Sequence, residues 1–311
     1  MLRFWKKQLL VFSIGGLCLG SFADLAAAEK KPVADGEHAE KVKRAMQDFG
    51  ANKFKEAEAE FRALLSNDEK TLGLDHSDTL QDRKNLAIVL GVEGDYLGAE
   101  NVLQEAIDLE SGILGPENKD VIEFREILAS TYAREGRNTE AVREFRKILA
   151  VRERVFGLED VTTARARANL GSVLNDTGEF REAEQLLRAA QPILEKKLPP
   201  NDPAILLNRT NLVKPLLALG RFAEAEKEQR SILEALQQIV GKTHPEVALA
   251  LLNLAATLKA EKKYSDALDF VRRAEAQLTQ IMGPDAPKVK EAREMRKELE
   301  EVQPLKRKSK E

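Results

Sequence analysis

One spacing constrains this chain more than any other feature: a short segment rewrites itself every 42 residues. The segment Asn85 to Glu100 reads NLAIVLGVEGDYLGAE, and its tail places Gly94, Tyr96 and Ala99. The same tail returns as Gly136, Asn138 and Ala141, as Gly178, Phe180 and Ala183, and as Gly220, Phe222 and Ala225. Lys262, Tyr264 and Ala267 continue it, and Asn52, Phe54 and Ala57 precede it. A second marker keeps the same period: Gly73, Gly115, Gly157, Pro199, Gly241 and Gly283. Six alanines in unbroken register define a repeat protein, whose units cannot bury their apolar faces alone.

A period near 42 suits both two-helix arrays and four-stranded propeller blades, so the pattern inside the unit must decide. Leu80, Leu86 and Leu90, with Ala87 and Ile88 beside them, fall at helical spacing. After Gly94, the residues Tyr96, Ala99, Val102, Leu103, Ala106 and Ile107 also step by three and four. A glycine between two such runs is a helix stop and a tight reversal, because glycine adopts positive φ at little cost. Asn52 is the next most tolerant residue for that place, whereas Lys262 is not, which predicts a strained or altered last turn. Aromatic residues make up only 5% of the chain, and strand-like alternation is absent. Each unit is therefore expected to be a helical hairpin.

The pattern Leu86-Ala87, Gly94-x-Tyr96-x-x-Ala99, then Leu103 and Ala106 resembles a tetratricopeptide repeat (TPR). The prefaces Leu72-Gly73-x-x-His76-x-Asp78-Thr79 and Gly241-Lys242-Thr243-His244-Pro245-Glu246 resemble its 42-residue form in kinesin light chains and many bacterial proteins. The resemblance spans residues 72–283, with 38–71 as a degenerate first unit. It implies an all-α, right-handed superhelical solenoid of about six hairpins closed by a C-terminal capping helix. The expected units lie near 37–72, 73–114, 115–156, 157–198, 199–240 and 241–283.

Outside the array the chain changes character. Arg3, Lys6 and Lys7 precede an apolar run from Leu9 to Leu19, and Ser21-Phe22-Ala23 and Ala26-Ala27-Ala28 offer small-residue cleavage sites. Residues 1–28 read as a secretory signal peptide, with an uncleaved N-terminal anchor as the alternative. Their removal takes away Asp24, those three basic residues, Cys18 and Trp5, leaving 46 basic against 51 acidic residues without cysteine. Such a chain suits an oxidising compartment, which points to a bacterial periplasm or the exterior. Residues 29–36 form a linker. One charged helix, Pro287 to Val302, is expected to cap the array and to end before Pro304, with 303–311 as a basic tail.

No glycine-rich phosphate loop, HExxH or Gly-x-Ser-x-Gly occurs, so catalytic residues, cofactors and metal ligands are not expected. His76 and His244 stand four periods apart, and a shared repeat position argues for a turn or cap; His38 is the third histidine. Nucleic acid is not an expected partner, and the membrane enters only through the signal segment.

In the TPR family an asparagine before the Leu-Ala pair points into the concave groove and bonds an extended peptide. The matching positions here are Asn85, Asn169, Asn211 and Asn253, with Ile127 breaking the ladder. An asparagine amide suits any peptide group, since it carries two donors and an acceptor. One turn to either side of these positions, the residues shift from polar (Gln81, Lys84, Glu123, Glu126) to apolar (Leu207, Leu249, Leu252). Arg165 and Lys214 supply positive charge between them. The expectation is a peptide or helix of a partner protein with apolar anchors at Leu207, Leu249 and Leu252 and an acidic group near Arg165 or Lys214. An envelope-polymer or carbohydrate module, or an envelope assembly factor, is the alternative. Arg83, Arg125, Arg167 and Arg209 recur on the opposite, packed side, with Glu58, Glu100, Glu184 and Glu226 as candidate partners.

Overall fold

The computed structural model describes residues 36–200 and 202–308; the signal segment and most of the linker lie outside them. Thirteen helices and no strand occur among the described residues. Contacts divide the described residues into two compact units, with the boundary in sequence between residues 177 and 178.

The N-terminal unit holds α1 (Gly36–Gly50), α2 (Phe54–Thr71), α3 (Ser77–Glu93), α4 (Tyr96–Leu114), α5 (Lys119–Glu135), α6 (Asn138–Phe156) and α7 (Val161–Thr177). Each helix packs against the next, and α3 also touches α5. The C-terminal unit holds α8 (Phe180–Lys197), α9 (Pro203–Ala218), α10 (Phe222–Val240), α11 (Pro245–Ala260), α12 (Tyr264–Met282) and α13 (Pro287–Lys308). There α8 packs on α9 and α9 on α10, and the chain continues so to α13, which lies on α12 and α11.

The two period markers have clear physical duties. Ala57, Ala99, Ala141, Ala183, Ala225 and Ala267 are all fully buried in the first turn of a second helix, where no larger side chain has room. The reversal after each first helix needs positive φ: Gly94 takes +99°, and its N–H returns to the carbonyl of Leu90. Lys262 adopts φ +65° at the same place, and Asn52 +61°, so the last turn keeps its shape and carries the strain.

First helices start on a capping residue one period apart. Nδ1 of His76 accepts from the Asp78 N–H at 3.2 Å, and Nδ1 of His244 from Glu246 at 3.3 Å. Asn118, Asp160 and Asp202 cap α5, α7 and α9 in the same way at 2.8 to 2.9 Å. A side-chain acceptor here satisfies one of the amides that a helix start leaves unpaired.

Two expectations need correction. Helix α13 runs through Pro304 to Lys308, although the proline was expected to stop it. A proline inside a helix forfeits one backbone bond and imposes a clash, but it need not end the helix. Pro192 and Pro215 are likewise enclosed in α8 and α9.

The recurring arginines also choose different partners. Arg83 bonds Glu69 at 2.7 Å, Arg167 bonds Glu153 at 2.9 Å, and Arg209 bonds Glu195 at 2.5 Å, in each case a glutamate 14 residues earlier on the preceding helix. Arg125 has Ser111 at that spacing and pairs with Glu144 instead, at 3.6 Å. The glutamates proposed for them form a second set of pairs. Glu100 takes Arg137 and Glu226 takes Lys263, at 2.8 and 2.6 Å, and Glu184 takes Arg221. Each such pair joins a second helix to the turn 37 residues on. Glu58 departs from this set and bonds Lys55 and Arg62 on its own helix. Two interleaved charge patterns of one period cannot be told apart in a sequence.

Candidate functional site

The first helices carry a stripe at positions i, i+3, i+7 and i+10, all on one helical face. In the N-terminal unit that stripe largely satisfies itself. The carbonyl of the Asn85 amide, 1% exposed, accepts from Gln81 at 3.0 Å. Lys84 is buried between Asp120 at 2.7 Å and Glu123, with its ammonium 5.4 Å from the Phe124 ring centre. Glu126 is held bidentate by Arg152 at 2.8 and 2.9 Å. Ile127 is buried and interrupts the row of amides. Asn169 and Arg165 on α7 are half-buried and reach the surface. A polar stripe that looks open in sequence is thus mostly closed by its own ion pairs.

The C-terminal unit is different. On α9, Leu207 is half-buried, Asn211 is buried and Lys214 is exposed. On α11, Leu249 is half-buried and Asn253 exposed, and Ala256 continues the open stripe. Leu252 is only 2% exposed and belongs to the helix packing, so its side chain is not a surface anchor. Leu249 and Asn253 share a face with Glu246, one further turn towards the N-terminus. The corresponding positions in the other repeats are Asp78, Asp120, Thr162 and Ala204.

Glu246 is the residue that sequence reading passed over. Asp120, its counterpart, receives Lys84 from the preceding repeat; the residue in the lysine's place before Glu246 is Thr210. No cation among the described residues pairs with the Glu246 carboxylate. Burial alone pushes its pKa up to about 7. The 42-residue register would have identified this position, read one turn further towards the helix start.

Known proteins share this architecture. The family model described as "Tetratricopeptide repeat" matches residues 123–196 and 204–280. Those two segments are tetratricopeptide repeats, and the fold is that of a TPR solenoid. Solved structures of kinesin-light-chain-like TPR proteins share this chain's fold. It is similar to BtubC (BKLC) from P. vanneervenii, with 20% identity and a TM-score of 0.61 over 75% of this chain and 91% of that one. The nearly identical TPR-like repeats assigned as a kinesin light chain in Podosopora anserina give 20% identity and a TM-score of 0.59, over 67% and 99%. A Rap protein complexed with Competence and Sporulation Factor gives 14% identity and a TM-score of 0.57, over 90% and 80%. No curated protein matches the TPR chain in sequence.

Proposed function

We propose that this TPR protein is a non-enzymatic, exported scaffold whose first-helix face, in the C-terminal unit, holds an extended or helical segment of a partner protein. The observation that carries the reading is the stripe Glu246, Leu249 and Asn253 on α11: an unpaired half-buried carboxylate, an apolar side chain and an exposed amide in line. Leu207 and Lys214 occupy the matching turns of α9. A segment with a basic group for Glu246, an apolar residue for Leu249 and Leu207, and an acidic group for Lys214 complements this row. The backbone amide of that segment suits Asn253. The solved complex of a Rap protein with Competence and Sporulation Factor supports the reading, because an array of similar fold binds there. Export rests on residues 1–28 and is tested by N-terminal sequencing of the mature chain.

The binding test is a pull-down from the native host with wild-type protein and with Leu249→Ser, Asn253→Ala and Glu246→Gln. Each variant is expected to lose partner recovery at least several-fold while its helical circular dichroism is kept. Undiminished recovery by all three would rule the stripe out. Leu252→Ser serves as the contrast: burying a hydroxyl and leaving a cavity costs about 3 kcal/mol, so it acts on stability rather than on the binding face.

A further inference from the structure

The N-terminal hairpin contains a cluster that no other repeat has. Nε2 of His38 on α1 lies 3.0 Å from Oδ2 of Asp68 on α2 and 3.1 Å from Oδ2 of Asp82 on α3. The two aspartates are 2% and 1% exposed, and His38 covers them from the solvent side. One period on, the position of His38 is held by Leu80, Ile122, Ala164, Leu206 and Ala248. The position of Asp82 becomes Phe124, Ala166, Asn208 and Ala250. Asp68 is followed by Glu110 and Arg152 and then by three leucines, 194, 236 and 278. Mostly core positions have thus been converted, at one end of the array, into three polar groups that face one another.

The cluster is short of positive charge. One ring N–H cannot serve two carboxylates: His38 donates to Asp82, and Oδ2 of Asp68, as near, has no hydrogen bond. Oδ1 of Asp82 is buried without a partner as well. Two anions in so dry a place repel each other and are poorly solvated. Burial pushes the Asp82 carboxyl up to about 6, against the pull of His38.

We propose that His38, Asp68 and Asp82 form a divalent transition-metal site, with zinc as the best-matched ion, that clips the terminal hairpin to the next repeat. The donor atoms all lie within 4.8 Å of one another. Ligands about 2.1 Å from a tetrahedral ion stand roughly 3.4 Å apart, so small movements complete the set. One imidazole and two carboxylates suit zinc or manganese, and the ion neutralises both anions at once. The three ligands come from three helices, so binding would be coupled to the docking of α1 and α2 on α3. The site is built from residues of the N-terminal unit alone and is independent of the function proposed for the C-terminal unit.

The test is calorimetric titration of the chelator-stripped full chain with zinc chloride and manganese chloride, alongside thermal unfolding. One ion per chain and a melting temperature raised by several degrees are expected. His38→Asn and Asp82→Asn should weaken binding at least tenfold and remove the shift, whereas His76→Ala and His244→Ala should retain both. Cobalt, used as a spectroscopic stand-in, should give visible absorption bands that vanish in the His38 variant. The absence of binding by either metal to wild-type protein would overturn the proposal, leaving a histidine–aspartate clamp. So would binding by the asparagine variants equal to wild type, since each removes one of the proposed ligands.

Discussion

Lys262 shows how far a single residue can depart from its repeat and still be carried. Its φ of +65° is one that an L side chain adopts at a cost of about 1–2 kcal/mol. Lys262→Gly is expected to raise stability by about 1 kcal/mol in urea unfolding, and Lys262→Ala to give no such gain. Glu246 makes the opposite kind of exception, a carboxylate left without the lysine that its counterpart receives. Its folded pKa is raised above the unfolded value, so the native state holds a proton that the unfolded chain releases first. Stability contributed by the neutral form is present at low pH and declines from about pH 4.5 to about pH 7. Glu246→Gln should flatten that decline in a series of melts from pH 4 to pH 8, without altering the melting temperature at pH 4. Glu226 has the reverse sign. Burial opposes its ionisation, yet bonds from Lys263 and Arg230 hold it down near 2, so its share of stability is lost as pH falls from about 4.5 towards 2.

Among the elements, the pairs that bridge helices decide which couplings can be measured. Glu100 accepts from the Tyr132 hydroxyl and from Arg137, both at 2.8 Å, which ties α4 to α5 and to the turn after it. The guanidinium also stacks 4.2 Å from the Tyr132 ring centre. Arg137 is about a third exposed, so a double-mutant cycle of Glu100→Gln with Arg137→Met should report a coupling of about 1 kcal/mol, not the larger figure of a buried pair. The helices themselves were legible in sequence because alanine, glycine and capping residues each answer a local demand that recurs with the backbone. The start of α3, α5, α7, α9 and α11 needed nothing else. The choice among glutamates was not legible, since Glu69 and Glu58 both recur at the period and only the rotation of packed helices separates them. The exposure of the candidate stripe was half legible: Asn253 and Leu249 reach the surface, but the burial of Leu252 and Asn85 follows from how neighbouring helices turn, which no spacing encodes.

At the scale of the molecule, stability accumulates between neighbours, and the ends are special. Along residues 287–302, the outermost helix, α13, buries Val289, Ala292 and Leu299 and leaves the others half-buried or exposed, most of them charged. Leu299→Ala should lower the unfolding free energy by about 2–3 kcal/mol, with the loss concentrated in the C-terminal unit and read by hydrogen exchange of α11 and α12. Truncation after Gly283 should expose the apolar surface of those helices and give a soluble fraction that shrinks with concentration. The single terminal helix has a further effect on how the protein exists in company. A stack of like bricks has no intrinsic reason to stop, and a bare end would accept the first brick of the next molecule. Along residues 287–302 the outward side of α13 carries glutamate, lysine and arginine, so seating a second copy against it would require stripping water from those charges.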